Sequence, residues 1–226
     1  MLERRLFLAG MVALACSSLP ALAIAQTPPA PTPQQVTSFF RAVGLDDAST
    51  VRKMVGSVVN ANELNPLGGE PALVLSVREG AGKVVQVLLD HPGLDLERKA
   101  VNGNTALMMA AYKRDEAAAR ALLAKGAKVN QAGWTALHYA AASGDEAIAD
   151  LLIAKGAKLD AVSPRASGAF TPLMMAAREG HAAVAELLLA KGAKASLKNG
   201  EGLTAAQIAE RSGRADLVKV LSGTAR

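Results

Sequence analysis

The apolar positions of this chain fall into short blocks that return about every thirty-three residues. Leu107-Met108-Met109-Ala110-Ala111 follows Thr105, Leu137-His138-Tyr139-Ala140-Ala141 follows Thr135 with one alanine between, and Leu173-Met174-Met175-Ala176-Ala177 follows Thr171 and Pro172. A fourth copy is Leu203-Thr204-Ala205-Ala206-Gln207-Ile208-Ala209, and a weaker one stands upstream at Pro71-Ala72-Leu73-Val74-Leu75. Pro71, Thr105, Thr135, Thr171 and Thr204 are separated by 34, 30, 36 and 33 residues. A second block trails the first: Leu122-Leu123-Ala124-Lys125-Gly126-Ala127 returns as Leu152-Ile153-Ala154-Lys155-Gly156-Ala157 and Leu188-Leu189-Ala190-Lys191-Gly192-Ala193. Two signatures recurring in phase mark an array of like units.

Each unit predicts two short helices. The threonine hydroxyl can cap the first by accepting from an unpaired backbone N–H, and Pro172 stands where a missing N–H costs nothing. In the second helix, Ala118 and Leu122, then Ile148, Leu151 and Leu152, then Val184, Leu187 and Leu188 fall at three- and four-residue spacing. Each set is one apolar stripe. Lys125, Lys155 and Lys191 suit the negative end of the helix dipole, and Gly126, Gly156 and Gly192 stop the helix in a left-handed turn. A lone hairpin cannot bury its stripe, so the units must stack.

Thr-Ala-Leu-His-Tyr-Ala at 135–140 and Thr-Pro-Leu-Met-Met-Ala at 171–176, with this period, resemble the ankyrin repeat. The resemblance implies an all-α ankyrin-repeat solenoid of about six stacked helix-turn-helix units with short hairpin-like loops, over residues 36–222. The units run about 36–67, 69–101, 102–131, 132–167, 168–200 and 201–222. The first is divergent, with Phe39 and Phe40 on its first helix and Val51, Met54 and Val55 on its second. The third is short at Asn130-Gln131-Ala132-Gly133. The fourth is long, and its extra residues around Arg165 lengthen a loop tip, a usual place for contacts.

The first residues read differently. Arg4-Arg5 precedes an apolar run from Leu6 to Ala15, then Leu19 to Ala25, ending in Ala23-Ile24-Ala25. That is the layout of a secretory leader over 1–25, cleaved near Ala25. Arg4-Arg5-Leu6-Phe7-Leu8 resembles the twin-arginine export motif, although Glu3 and Ala9 depart from it. General secretion is the alternative route. Ser17, Ser18 and Pro20 interrupt the run before the roughly 20 residues a spanning helix needs, so no stable membrane span is expected. Cys16 is the only cysteine, and Ala13-Leu14-Ala15 before it departs from a lipoprotein signal. Cleavage at Ala25 would leave a cysteine-free chain, suited to an oxidising compartment. Residues 26–35 begin Gln-Thr-Pro-Pro-Ala-Pro-Thr-Pro, a proline-rich tether that favours extended geometry.

Composition adds two limits. Half of the residues are apolar but only 3% are aromatic, which suits thin layers of Ala, Leu and Val. The net charge of +5 falls to +4 without Arg4, Arg5 and Glu3, too mild for dedicated nucleic-acid binding. Nor is there a catalytic constellation. His91, His138 and His181 lack metal-ligand spacing, and no phosphate-cradling loop or nucleophile elbow occurs. His138 stands where the family's histidine makes inter-unit hydrogen bonds. The chain is therefore expected to be non-catalytic, without metal or cofactor.

What remains is contact with a partner. The resemblance implies that the residue before each threonine and those after each Ala-Ala face a concave surface. Asn104, Trp134, Phe170 and Leu203 hold the first position; Tyr112 and Lys113, then Arg178 and Glu179, hold the second. Trp134, Tyr112, Phe170, Tyr139, Arg178, Lys113 and Arg165 are the candidate partner-binding residues, of types that often dominate binding energy. For Met109, Tyr139 and Met175 the competing expectation is packing between adjacent first helices. Lys128, Lys158 and Lys194 recur two residues past each stop glycine, and such a row could meet an anionic cell-envelope polymer. The reading that follows is a periplasmic, non-catalytic protein–protein interaction module, expected as a monomer. It resembles exported ankyrin proteins of Gram-negative bacteria, some of which are associated with catalase and peroxide resistance.

Overall fold

The computed structural model describes residues 30–223. The leader and the start of the proline-rich tether lie outside the described residues. Six helix pairs follow one another: α1 (Pro33–Gly44) with α2 (Ala48–Met54), α3 (Ala72–Arg78) with α4 (Gly82–Leu89), and α5 (Ala106–Lys113) with α6 (Glu116–Ala124). Then come α7 (Ala136–Ser143) with α8 (Glu146–Ala154), α9 (Pro172–Glu179) with α10 (Ala182–Ala190), and α11 (Ala205–Arg211) with α12 (Ala215–Gly223). The described residues contain no strand, only the isolated bridges Val55–Val59 and Leu64–Pro71, and a 3-10 turn at Arg165–Ser167.

Local chemistry sets the helix ends. The hydroxyls of Thr105, Thr171 and Thr204 accept from the amides of Met108, Met174 and Gln207. Gly126, Gly156 and Gly192 have φ of 92°, 84° and 97°. In that left-handed turn the next amide reaches back: Ala127 to the Leu122 carbonyl, Ala157 to Leu152 and Ala193 to Leu188, at 3.0, 3.0 and 2.9 Å. Asp115 and Asp145 cap α6 and α8. Helix α4 has no such residue of its own, and Asp46 of the first pair accepts from the Val84 amide instead, at 2.9 Å.

The pairs stack into two rows. First helices α1, α3, α5, α7, α9 and α11 touch in that order, and second helices α2 to α12 do the same. The first row is the more closely packed in its middle, where Ala110, Ala111, Ala140, Ala141, Ala176 and Ala177 are fully buried. Small side chains let these helices approach, and a stack tighter on one row curves toward it, so the first helices line the concave side. A single core runs through the array, with Leu122, Leu137, Ile148, Leu152, Leu173 and Leu188 wholly buried.

Hydrogen bonds fix one pair against the next. The Asp95 amide donates to Asn62 Oδ1 of the preceding unit (2.7 Å), Lys128 to Glu97 Oε1 (2.7 Å), Lys158 to Asn130 Oδ1 (2.8 Å), and Lys194 to Asp160 Oδ1 (3.0 Å). The donor is always the second residue past the helix-ending turn, and the acceptor lies two residues beyond the equivalent position one unit earlier. Fingers are tied as well, Val101 N–H to the Gly69 carbonyl and Gly200 N–H to the Gly168 carbonyl.

The second-helix stripe is narrower than its spacing predicts. Ile148, Ala149 and Leu152 are buried, while Leu151 and Leu187 are only half-buried. Leu152→Ala should therefore lower the unfolding free energy by about 3 kcal/mol. Leu151→Ala should cost about 1 kcal/mol or less. Urea denaturation of both variants checks this; equal costs would contradict the burial pattern.

Candidate functional site

The site is a pocket of about 390 Å³ on the concave side, built from three consecutive units. Tyr112 comes from the end of α5. Trp134, His138, Tyr139 and Ala142 come from α7 and the residues before it, and Met175, Arg178 and Glu179 from α9. Tyr139 stands between the other two large rings. Its centroid is 6.2 Å from that of Tyr112, edge-on at 87°, and 6.2 Å from that of Trp134, tilted at 57°.

Two of the three rings, Tyr139 and Trp134, are held from below. The Tyr139 hydroxyl donates to Asn104 Oδ1 of the preceding unit at 2.6 Å, and burial raises its pKa, against the effect of that bond. Ser143 Oγ donates to the Ala111 carbonyl at 2.9 Å, pinning the end of α7 to α5. Trp134 packs edge-on against His138, centroids 5.2 Å apart.

His138 is wholly buried. The Thr135 amide, which can only donate, points at Nδ1 from 3.2 Å, and the Thr135 hydroxyl lies 2.9 Å from the same nitrogen. Nδ1 is therefore the bare nitrogen, and Nε2–H donates to the Phe170 carbonyl of the next unit at 3.0 Å. Thr135 thus turns its hydroxyl to the imidazole, where Thr105 and Thr171 give theirs to a backbone amide. Burial holds the imidazole pKa down to about 4, against a weaker upward pull from the Phe170 carbonyl.

Phe170 lies beside the pocket. The Arg178 guanidinium sits 5.1 Å above its ring centre. The ring also covers Gly168, where a Cβ would meet Phe170 Cε2 at 2.4 Å. With both flanks taken, Phe170 supports the surface more than it forms it. Beyond Arg178 a smaller hollow of about 200 Å³ continues along Phe170, Leu203 and Ile208.

Of the residues the sequence singles out, Tyr112, Trp134, Tyr139 and Arg178 meet in one pocket, and Lys113 and Arg165 are exposed outside its lining. Met109 and Met175 are buried between first helices, the packing alternative. Lys128, Lys158 and Lys194 are exposed, and among the described residues none of the three has an ion-pair partner. Lys125 and Lys191, by contrast, reach across units to Asp90 and Asp150 at 3.0 and 2.7 Å. Glu179, placed on the concave face by the sequence, also lines the pocket; the sequence reading missed His138 as pocket wall, and also the apolar finger tips Leu67 and Val101, 90% and 82% exposed. The lone apolar residue in Asn65-Pro66-Leu67-Gly68 was the available signal.

Among the described residues no cluster of His, Cys, Asp and Glu could hold a metal ion, and no helix is long and apolar enough to cross a membrane. A family model of ankyrin repeats (three copies) matches residues 39–132, 93–163 and 163–225. The chain belongs to the ankyrin-repeat family. No match is found among curated proteins. Members of this family generally mediate protein–protein interaction and are typically non-catalytic.

The His138 geometry has a pH signature. The folded imidazole titrates near 4 and the unfolded one near 6.5, so between those values the unfolded chain binds the extra proton. The stability this group supports is complete above pH 6.5 and falls as pH drops toward 4, by about 3 kcal/mol in all. Urea midpoints at pH 7 and pH 4.5 should show most of this loss in the native chain and lack it in His138→Gln. The same slope in both would contradict the assignment.

Proposed function

We propose that this chain is an exported, non-catalytic interaction module that holds a protein partner on its concave side, in the periplasm. The observation that carries this is the pocket of Tyr112, Trp134, Tyr139 and Arg178. The chain's single Trp and both its tyrosines meet there, on a rigid three-unit platform, in a chain that is only 3% aromatic. Tyr112 is 56% exposed, an aromatic ring left largely open to water. Open aromatic residues beside an arginine are the usual anchors of protein interfaces. The leader-like residues 1–25 support the address. Support of a partner enzyme such as catalase rests on the resemblance to exported ankyrin proteins alone.

A second reading, binding of an anionic envelope polymer, draws on the unpaired Lys128, Lys158 and Lys194. Two of their three rungs carry an acid, Glu97 and Asp160, which weakens the field a polyanion would meet. Salt separates the two readings: polymer binding should fall steeply as ionic strength rises, while an aromatic-centred contact should persist.

Capture from periplasmic extract tests the leading reading. Tyr112→Ala should weaken retention of the partner at least tenfold and leave the melting temperature unchanged, because the ring is mostly in water. Retention of the same proteins by native and variant chains would contradict it. Export is checked separately by fractionating a Gram-negative host. The chain should appear in the periplasm with the mass left by cleavage near Ala25, and Arg4→Lys with Arg5→Lys should block this if the twin-arginine route is used. A chain retained in the cytoplasm in both cases would remove the periplasmic address.

A further inference from the structure

We infer that the guest of the Tyr112–Trp134–Tyr139 pocket is an arginine side chain of the partner protein. The inference rests on the reading of this pocket as the partner contact, and it names what enters.

The rings are the first argument. Tyr112 and Trp134 stand at 87° and 57° to Tyr139, so neither covers it in a parallel stack. Tyr112 is also more than half open to water. The face of an aromatic ring is its negative side, which attracts a cation and repels an anion.

Charge in the lining does not oppose this. His138 is neutral there, since Nδ1 accepts from the Thr135 amide and Nε2–H donates to the Phe170 carbonyl. The ionised groups of the lining are Arg178 and Glu179, joined through Nε and Oε1 at 2.9 Å. Each keeps an open end, the terminal nitrogens of one and Oε2 of the other. The pair is neutral and selects neither sign of guest, so the rings decide.

The free acceptors fit the same guest. Glu179 Oε2 and the Tyr112 hydroxyl have no partner among the described residues. The Tyr139 hydroxyl gives its proton to Asn104 Oδ1 and keeps its lone pairs. Three oxygens beside aromatic walls suit a group that only donates. An apolar guest would shield Glu179 from water without replacing that hydration.

Arginine meets these demands better than lysine. A guanidinium lays its flat face on a ring while five N–H groups point outward along its edge. An ammonium has three and holds its water more strongly. The chain makes the same arrangement itself beside the pocket, where Arg178 lies over Phe170 with Nε on Glu179. One guest charge lodged among rings is screened far less than an exposed row of lysines, so this contact keeps most of its strength in salt.

Because Trp134 is the chain's one tryptophan, its emission reports on the pocket directly. The probes, at fixed ionic strength, are the capped tripeptides Gly-Arg-Gly, Gly-Lys-Gly and Gly-citrulline-Gly, the last close to arginine in shape but uncharged. The arginine peptide should shift the emission saturably, half-complete at about 1–5 mM, and the citrulline peptide should bind at least tenfold more weakly. Glu179→Gln and Tyr112→Ala should each weaken the arginine peptide at least fivefold with an unchanged melt. Equal binding of the citrulline and arginine peptides, tighter binding of the lysine peptide, or no saturable shift below about 20 mM overturns the proposal. If that happens while Tyr112→Ala still abolishes partner capture, the guest is wrong and the interaction reading stands. Arginine binding with partner capture untouched by Tyr112→Ala overturns both.

Discussion

No helix pair in this protein has a core of its own; the interface between neighbouring pairs is the core. Leu122, Ile148, Leu152, Val184 and Leu188 are wholly buried only because another second helix covers them, and Leu107, Leu137 and Leu173 depend likewise on the adjacent first helices. Apolar contact of this kind is strong but non-directional. Register comes from the hydrogen bonds laid across it: the four amide rungs from Asp95 to Lys194, the His138 bridge to Phe170, and the Tyr139 bond to Asn104. Stacking supplies the free energy and the polar ties select one way of stacking.

The site inherits this dependence. Its walls belong to three units, so it exists only when α5, α7 and α9 stand in register. His138 couples the two most closely. It supports Trp134 from beneath and holds the next unit by the carbonyl of Phe170, whose ring in turn carries Arg178. Anything that loosens the stack at α7 therefore loosens the pocket as well, and the same contacts that give stability give the surface its shape. Unlike a loop-built site, its walls stand on helices already packed in register.

How much of this could be read beforehand follows the range of the interaction. Helix ends were legible, since Thr105, Thr171 and Thr204 act on residues three places away and Gly126, Gly156 and Gly192 act on their own backbone. The repeat itself was legible because its period is in the chain. The gathering of Tyr112, Trp134, Tyr139 and Arg178 was legible only as a shared face. That Phe170 would be flanked by Gly168 and Arg178, or that Asp46 would cap a helix thirty-eight residues on, depends on how one unit is rotated against the next. The half-burial of Leu151 has the same origin: a stripe drawn by spacing does not show where the neighbouring helix axis passes. Long-range polar partners such as Asn104 carry no local signature.

Native-state hydrogen exchange of the whole chain tests the stacking account most directly. Inner pairs have two neighbours and end pairs one, so amide protection should be highest in α5 to α8 and decline stepwise toward α1–α2 and α11–α12. Uniform protection from the first pair to the last, or the slowest exchange in a terminal pair, would mean that the pairs do not draw their stability from one another.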